Sequence, residues 1–317
     1  DEIFYLQMGV LRQKRDWKSV EARRFSISDE WLGTHLASLP FTLTSAQQTT
    51  LADIRADLDS GKPMNRLVQG DVGSGKTVVA ALAAALIVSA GAQAAIMAPT
   101  SILAEQHYRT FVNLLAGDGG ALQQGEIRLL VGSTTEGEKE AIRQGLMDGS
   151  VKIVIGTHAV IEEPVKFKDL QFVVIDEQHR FGVEQRKELR SKGTNPHLMV
   201  MTATPIPRSL ALTVFGDLDI SVIDVMPAGR QPISTYVLRP QERERAYTMI
   251  RAQIKNGNQG FIVYPLIDES EKIDARSAVD DFDTLSKEVF PDLKLGLLHG
   301  RMKPSEKDEV MLKFRDK

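Results

Sequence analysis

The sequence predicts an α/β protein: a parallel β-sheet with helices on both faces, followed by the beginning of a second unit of the same kind. Three observations carry this. From Arg66 onward, short apolar runs alternate with segments of helical periodicity. Two of those runs, Phe172-Val-Val-Ile175 and Val151-Lys-Ile-Val-Ile155, are nearly continuous rather than alternating, as strands buried on both faces are. The third is the stretch Gly70-Asp-Val-Gly-Ser-Gly-Lys-Thr77, which fits G-x-x-x-x-G-K-[ST] between the apolar Leu67-Val68 and an Ala-rich helical run from Val78.

Residues 1–38 place Ile3, Leu6 and Val10 at helical spacing among Arg12, Lys14, Arg15, Arg23 and Arg24, and read as a linker helix region. A solvated charged face explains these basic residues better than a nucleic-acid patch does. Leu36 to Pro40 marks a boundary, and Phe41-Thr-Leu-Thr-Ser-Ala-Gln47 leads into a helix ending near Leu58. Strands are expected at Arg66 to Gln69, Ala94 to Ala98, Ile127 to Val131, Lys152 to Gly156, Phe172 to Asp176 and Leu198 to Thr202. Helices are expected at Lys76 to Ser89, Ile102 to Leu115, Glu136 to Met147 and Val183 to Arg190. Together, 39–230 form one nucleotide-binding domain.

Pro227-Ala-Gly-Arg-Gln-Pro232 punctuates the chain, and the alternation then restarts over 231–317. Strands are expected at Ser234 to Leu238, Gly260 to Pro265 and Lys294 to Leu298, with helices at Gln241 to Asn256, Ala275 to Phe290 and Pro304 to Phe314. Pro304 sits in the first turn of its helix, where a proline is tolerated. About half of a second α/β domain is expected here, from a longer chain.

Composition narrows the class. At 317 residues, 42% hydrophobic and 26% charged, the chain is long enough for one large or two medium domains. The absence of Cys excludes a disulfide scaffold, a Cys zinc site and a thiol nucleophile, and fits a cytoplasmic setting. A net charge of −3 gives no bulk basic signature, yet a basic groove can coexist with an acidic surface. Val78 to Ala98 is nearly all apolar, but Ser89, Gly91 and Gln93 interrupt it, so it reads as helix, turn and strand rather than a membrane span. No membrane association is expected.

The chemistry starts at the glycine-rich loop. Gly70, Asp71, Val72, Gly73, Ser74 and Gly75 let backbone NH groups curl around a polyphosphate, Lys76 reaches its terminal groups, and the Thr77 hydroxyl can ligate Mg²⁺. The following helix adds the positive end of its dipole. Val174-Ile-Asp-Glu177 ends a strand with two carboxylates, at the sheet edge where open parallel sheets bind ligands. Asp176 would share Mg²⁺ with Thr77, and Glu177 would take a proton from attacking water. Thr202-Ala-Thr-Pro205 ends the next strand, which brings Thr202 and Thr204 to the same edge; a simple Ser/Thr turn is the competing reading.

The ordered set Gln47, Gly70 to Thr77, Pro99-Thr100, Gly156-Thr-His158, Asp176-Glu-Gln-His179, Thr202 to Pro205 and His299-Gly-Arg-Met302 resembles a superfamily 2 helicase. Arg66 to Thr77, Asp176-Glu-Gln-His-Arg-Phe-Gly182 and Met201-Thr-Ala-Thr-Pro-Ile-Pro-Arg208 resemble, more narrowly, the RecG family of ATP-dependent DNA helicases, from about Phe4 to the last residue. The resemblance implies a RecA-like P-loop NTPase domain plus the first half of a second RecA-like domain. It implies ATP and Mg²⁺ as cofactors, and branched or forked duplex DNA as partner, with single-stranded DNA-binding protein as a further one and a monomer as the working unit. It places Gln47 at the adenine edge, and Gln178 and His179 beside Glu177 as a relay through Thr202 and Thr204. A metal-ligand role for His179 lacks a partner cluster of His or Cys. Thr100, Gln106, Thr157, His158, His299 and Arg301 would face DNA, although ordinary helix capping suits Thr100 equally well. Arg180 and Phe181 would contact phosphate or a base, with packing as the rival role for Phe181.

What the resemblance implies as activity is ATP-driven remodelling of stalled forks and Holliday junctions. The wedge domain and the arginine finger of such enzymes are expected outside this sequence, so these 317 residues alone are expected to hydrolyse ATP poorly. Two alternatives stand beside this: a transcription-repair coupling type translocase, and an ATP-gated DNA-binding module without productive hydrolysis.

Overall fold

The structure is a computed structural model that describes the chain except residues 1–7, 10–11, 13, 16–18, 27, 117–119, 178–187, 190, 205–217, 226–232, 265–280, 301 and 317. The chain divides into two compact units, Asp1–Arg230 and Gln231–Lys317.

The first unit is built on a seven-stranded sheet: β1 (Asn65–Gly70), β2 (Gln93–Met97), β3 (Ile127–Leu130), β4 (Ile153–Gly156), β5 (Leu170–Asp176), β6 (His197–Thr202) and β7 (Asp219–Ile223). The spatial order is β3-β4-β2-β5-β6-β1-β7, and each recorded pair is parallel. The helices are α1 (Asp29–Ala37), α2 (Ser45–Asp59), α3 (Lys76–Ser89), α4 (Ser101–Leu115) and α5 (Glu136–Asp148). The six expected strands are present with ends moved by two residues or fewer. The expected helix at Val183 to Arg190 falls largely outside the described residues.

Strand geometry distributes the core over two faces. Phe172 and Val174 of β5 join one apolar cluster with α2, α3 and α4, whereas Val173 and Ile175 join the other with Ile142 and Leu146 of α5. Every residue of β5 and β6 is buried, which is why their sequences run apolar without alternation. Helix α3 is buried continuously from Val79 to Val88, so it needs no polar face. Among the described residues, no helix is long and apolar enough to cross a membrane.

Strand β7 was not anticipated. It pairs with β1 at the sheet edge and is held by the guanidinium of Arg66, which is 9% exposed. Arg66 donates to Asp57 Oδ2 at 2.7 Å, to Ser221 Oγ at 2.7 Å and to Asp53 Oδ2 at 3.3 Å. Ser221 in turn donates to Asp53 Oδ2 at 2.7 Å. A buried cation of this kind needs several acceptors at once, and β7 supplies one of them.

The N-terminal region is helical at the described residues 8, 9, 12, 14 and 15 and again from Asp29. Residues 21–26 are not helical, and they pack on the sheet domain through Phe25, 2% exposed, and through backbone bonds from Ala22 to Gly61 and from Phe25 to Leu58. Helix α1 then starts at the Ser28 cap, whose hydroxyl accepts from the Trp31 NH. Ile3, Leu6 and Val10 lie outside the described residues.

His197, at the start of β6, joins this strap to the sheet. Its Nδ1 accepts from the Met64 NH at 3.1 Å and its Nε2 donates to the Arg23 carbonyl at 3.0 Å, so the ring is held neutral. Burial pushes its pKa below the ordinary 6.5, against weaker opposing effects of the Arg23 bond and Asp57. With the folded value lowered, the unfolded chain binds the extra proton, and stability falls as pH drops below about 6.5. We expect His197→Leu to cost about 1–3 kcal/mol at pH 8 by orphaning the Met64 NH, and the gap to wild type to narrow at pH 5.5. Urea unfolding at both pH values checks this; a gap unchanged by pH would refute it.

The second unit, taken by itself, has a 3₁₀ turn at Pro240–Glu242, helix α6 (Arg243–Lys255), a π-helical turn at Leu285–Val289 and helix α7 (Pro304–Asp316). Tyr247 meets Phe290 edge to face at 5.4 Å, and Arg251 pairs with Asp292 at 2.8 Å. Helices α6 and α7 occupy the expected positions, and the described part of the expected Ala275 to Phe290 helix is helical from residue 281. The three expected strands are a correction: residues 234–238, 260–264 and 294–298 have no strand ladder. Their composition favours strands, but a strand exists only through hydrogen bonds to a neighbour, and these segments make none of that pattern.

Candidate nucleotide site

Strand β1 ends at Gly70, and the chain turns through a bond from Ser74 N to Asp71 O at 3.1 Å before α3 begins at Lys76. Gly73 and Gly75 have φ of 81° and 86°, a region that other residues enter only under strain. A Cβ on Gly75 would also come within 2.2 Å of Gln47 Nε2. The other long helices of this unit are capped by Ser or Thr hydroxyls at Ser28, Thr44, Thr100 and Thr135, whereas the N-cap of α3 is Gly75 and offers no side chain. The first NH groups of α3 are thereby left for an anion. Asp71, Val72 and Gly73 are exposed at the loop tip, and Ser74 is buried, its Oγ lacking a hydrogen-bond partner among the described residues.

Lys76 folds back into the loop and donates to the carbonyls of Gly70 at 2.6 Å and Asp71 at 3.0 Å. The ammonium thus lies where a polyphosphate would draw it away. Burial lowers its pKa from the ordinary 10.5, opposed by Asp176, Glu177 and Asp71, so the two carboxylates of the β5 edge are electrostatic neighbours of the loop. Thr77, half-buried, follows on the first turn of α3.

Gln47 is 3% exposed, and both ends of its carboxamide are engaged. Its Oε1 accepts from Thr44 N at 2.8 Å, completing a capping box at the start of α2, and its Nε2 donates to the Ser74 carbonyl at 2.8 Å. In this structure Gln47 braces the phosphate loop.

Three adjacent strands bring the remaining groups to the same edge. In β5, β6 and β1, Asp176 pairs in register with Met201, and Thr202 with Gln69. Gly70, Thr202 and Asp176 therefore end consecutive strands. Glu177 follows with φ 50°, one of the non-glycine residues at positive φ. It is held there by two bonds: its NH donates to Met201 O at 3.0 Å, and its Oε1 accepts from Ala203 N at 2.9 Å. A strained conformation kept by surrounding contacts is characteristic of functional positions. Thr202 and Thr204 share a hydroxyl bond of 2.8 Å, and the Thr204 NH donates to Thr202 Oγ1 at 3.2 Å, so the Thr-Ala-Thr turn is shaped around the Glu177 carboxylate. Gln178, His179, Arg180 and Phe181 lie outside the described residues.

One neighbour of Asp176 escaped the sequence reading. His107 of α4 is 6% exposed, and its Nε2 lies 2.7 Å from Asp176 Oδ2. The available signal was a His on the stripe Ala104, His107, Phe111 and Leu115, the buried face of a helix in which a polar residue needs a partner.

The donor set at this edge fits Mg²⁺: one carboxylate, Asp176, and one hydroxyl, Thr77, both hard oxygens. Among the described residues, no group of three or more His, Cys, Asp and Glu gathers as a metal cage. A Mg²⁺ bound chiefly by nucleotide phosphates and water needs none.

The other half of the edge carries the first unit's residues that are expected to face DNA. Thr100 follows β2 and caps α4, its hydroxyl accepting from Leu103 N at 3.3 Å, and Gln106 is exposed on that helix. Thr157 and the exposed His158 follow β4, where a Cβ on Gly156 would meet the Leu130 carbonyl at 2.0 Å. In the second unit, His299 is half-buried and accepts at its carbonyl from Met302 N at 3.3 Å. Arg301 lies outside the described residues.

Comparison with known proteins matches residues 44–213 to the DEAD/DEAH box helicase family. The chain is 48% identical over 316 residues to ATP-dependent DNA helicase RecG of Thermotoga maritima, covering 100% of this chain and 40% of that protein. Against RecG of Synechocystis it is 47% identical over 318 residues, covering 100% of this chain and 38% of the relative. A solved structure of RecG bound to a three-way DNA junction aligns with a TM-score of 0.82 at 45% identity, over 99% of this chain and 40% of that one. The chain thus spans about 40% of the length of these relatives.

Proposed function

Since the chain belongs to the RecG family of ATP-dependent DNA helicases, we propose that it is the ATP-hydrolysing motor segment of an enzyme that remodels branched DNA. The observation that carries this reading is the meeting of phosphate loop, Asp176, Glu177 and the Thr202–Thr204 turn at the ends of three adjacent strands. A Gly-rich loop binds phosphate in many proteins. Joined to a carboxylate that the Ala203 NH already orients, it is equipped for hydrolysis.

On this reading the α3 N-terminus and the loop NH groups cradle the triphosphate, and Lys76 exchanges the Gly70 and Asp71 carbonyls for the terminal phosphates. Thr77 and Asp176 would hold Mg²⁺, which when bound neutralises charge on the phosphates. Glu177 takes the proton from the attacking water. The same carboxylate touches the Thr-Ala-Thr turn, so a change at the γ-phosphate position reaches Ala203 through one hydrogen bond. Gln178 and His179 would extend that relay, and Gln47 would report on the adenine by way of its grip on Ser74.

Thr100, Gln106, Thr157 and His158, with His299 and Arg301 of the second unit, are assigned to the DNA backbone. Phosphate contacts of this kind hold a strand without reading its bases, as a translocating motor requires. The RecG relative bound to a three-way junction supports a branched substrate. Single-stranded DNA-binding protein as a further partner, a monomeric working unit and a cytoplasmic location belong to the same proposal.

The test is ATP turnover by the full-length protein with single-stranded, duplex and forked DNA at one stated salt concentration. Forked DNA is expected to stimulate most. Equal stimulation by all three would overturn the branched substrate, and no DNA-dependent turnover would overturn the motor.

A further inference from the structure

We propose that His107 is a positioning residue for the metal-binding carboxylate, locking Asp176 in the orientation that Mg²⁺·nucleotide requires. The inference rests on the nucleotide site proposed above and adds to it a residue outside every motif used to build that site.

The geometry is specific. Asp176 and His107 are 7% and 6% exposed, and Nε2 stands 2.7 Å from Oδ2. A carboxylate that serves a metal accepts, so the bond requires a hydrogen on Nε2 of the ring. With Oδ2 held by that bond, the carboxylate plane is set, and Oδ1 is the oxygen left for the metal or its water. The backbone of Asp176 is already fixed by its strand pairing with Met201. His107 removes the remaining freedom, rotation of the carboxylate itself.

The scaffold behind His107 is rigid for a separate reason. Helix α4 starts at the Thr100 cap and buries Ala104, Phe111 and Leu115 on the same stripe as His107, with Ala104 and Phe111 at 0% exposure. The helix that carries Thr100 at its cap and Gln106 among its DNA-assigned residues thus touches the metal-binding residue through the very next position, His107. A buried His with a carboxylate partner also satisfies a core without any further role. What separates the two cases is whether metal affinity follows the hydrogen bond or merely the packing. Partners that orient metal ligands are worth about 10–100-fold in metal affinity or activity.

The experiment uses full-length protein and Mn²⁺ as the probe, with Mn²⁺ affinity measured by electron paramagnetic resonance in the presence of ADP. His107→Leu, which keeps the bulk and loses the donor, is expected to weaken Mn²⁺ binding by about 10–100-fold. His107→Gln, whose Nε2 can reach the same oxygen, is expected to retain most of the affinity. His107→Asn is too short to do so and is expected to behave as His107→Leu, which decides the matter should the leucine variant fail to fold. Equal Mn²⁺ affinity in wild type and the donor-less variants, or His107→Gln as weak as His107→Asn at unchanged unfolding temperature, would overturn the proposal. Wild type that fails to bind Mn²⁺·ADP would instead overturn the nucleotide site itself.

Discussion

Glu177→Gln is expected to lower DNA-stimulated ATP turnover by about 10²–10⁴-fold, the range a positioned general base contributes, while ATP still binds. The reason is local. Glutamine is isosteric, and its carbonyl oxygen can still accept from Ala203 N, the bond now made by Glu177 Oε1 at 2.9 Å. The Thr202–Thr204 turn and the phosphate loop therefore keep their shape, and only the proton acceptor is lost. Steady-state phosphate release together with fluorescent-nucleotide binding separates the two effects. Turnover within a few-fold of wild type would remove Glu177 from the reaction; loss of binding along with turnover would make it a structural brace instead.

Lys76→Ala is expected to fail earlier, at nucleotide capture. The ammonium makes two hydrogen bonds to loop carbonyls, at 2.6 Å and 3.0 Å, which bound phosphates would replace. Each bond to a charged group contributes about 1.5–3 kcal/mol, so ATP binding should weaken by about 10-fold or more. Turnover should fall by about 10²–10³-fold, as when one donor to developing charge is removed. Isothermal titration with ATP and Mg²⁺, beside steady-state turnover, checks both figures. A variant that binds ATP as wild type does and loses only turnover would confine Lys76 to the transition state. Together the two expected results would divide the proposed site, Lys76 for holding phosphate and Glu177 for moving a proton.

Much of the proposed site was legible in the sequence because its parts are local. A phosphate loop needs glycines at positive φ, a lysine and a hydroxyl within eight consecutive positions, and Gly73 and Gly75 have the φ values that the pattern implies. Asp176 and Thr202 were placed correctly because an apolar run shows where a buried strand ends, and the ends of parallel strands share an edge. The central sheet was legible for the same reason.

Four features needed the tertiary structure. Strand β7 reads poorly as a run, having Asp219 and Ser221 in five residues, yet it is fixed by a strand partner and by the buried Arg66. The segments 234–238, 260–264 and 294–298 look like strands but are not, since a ladder depends on a partner elsewhere in the chain. The sequence places Gln47 at the start of a helix but does not show its hold on Ser74, 27 residues away. His107 and Asp176 are separated by 69 residues and meet only because the fold brings the His107 side chain of α4 to the end of β5. Periodicity and turn chemistry act over a few residues and leave a direct trace in the sequence; a buried polar pair is settled by which surfaces come together, and one sequence does not record that meeting.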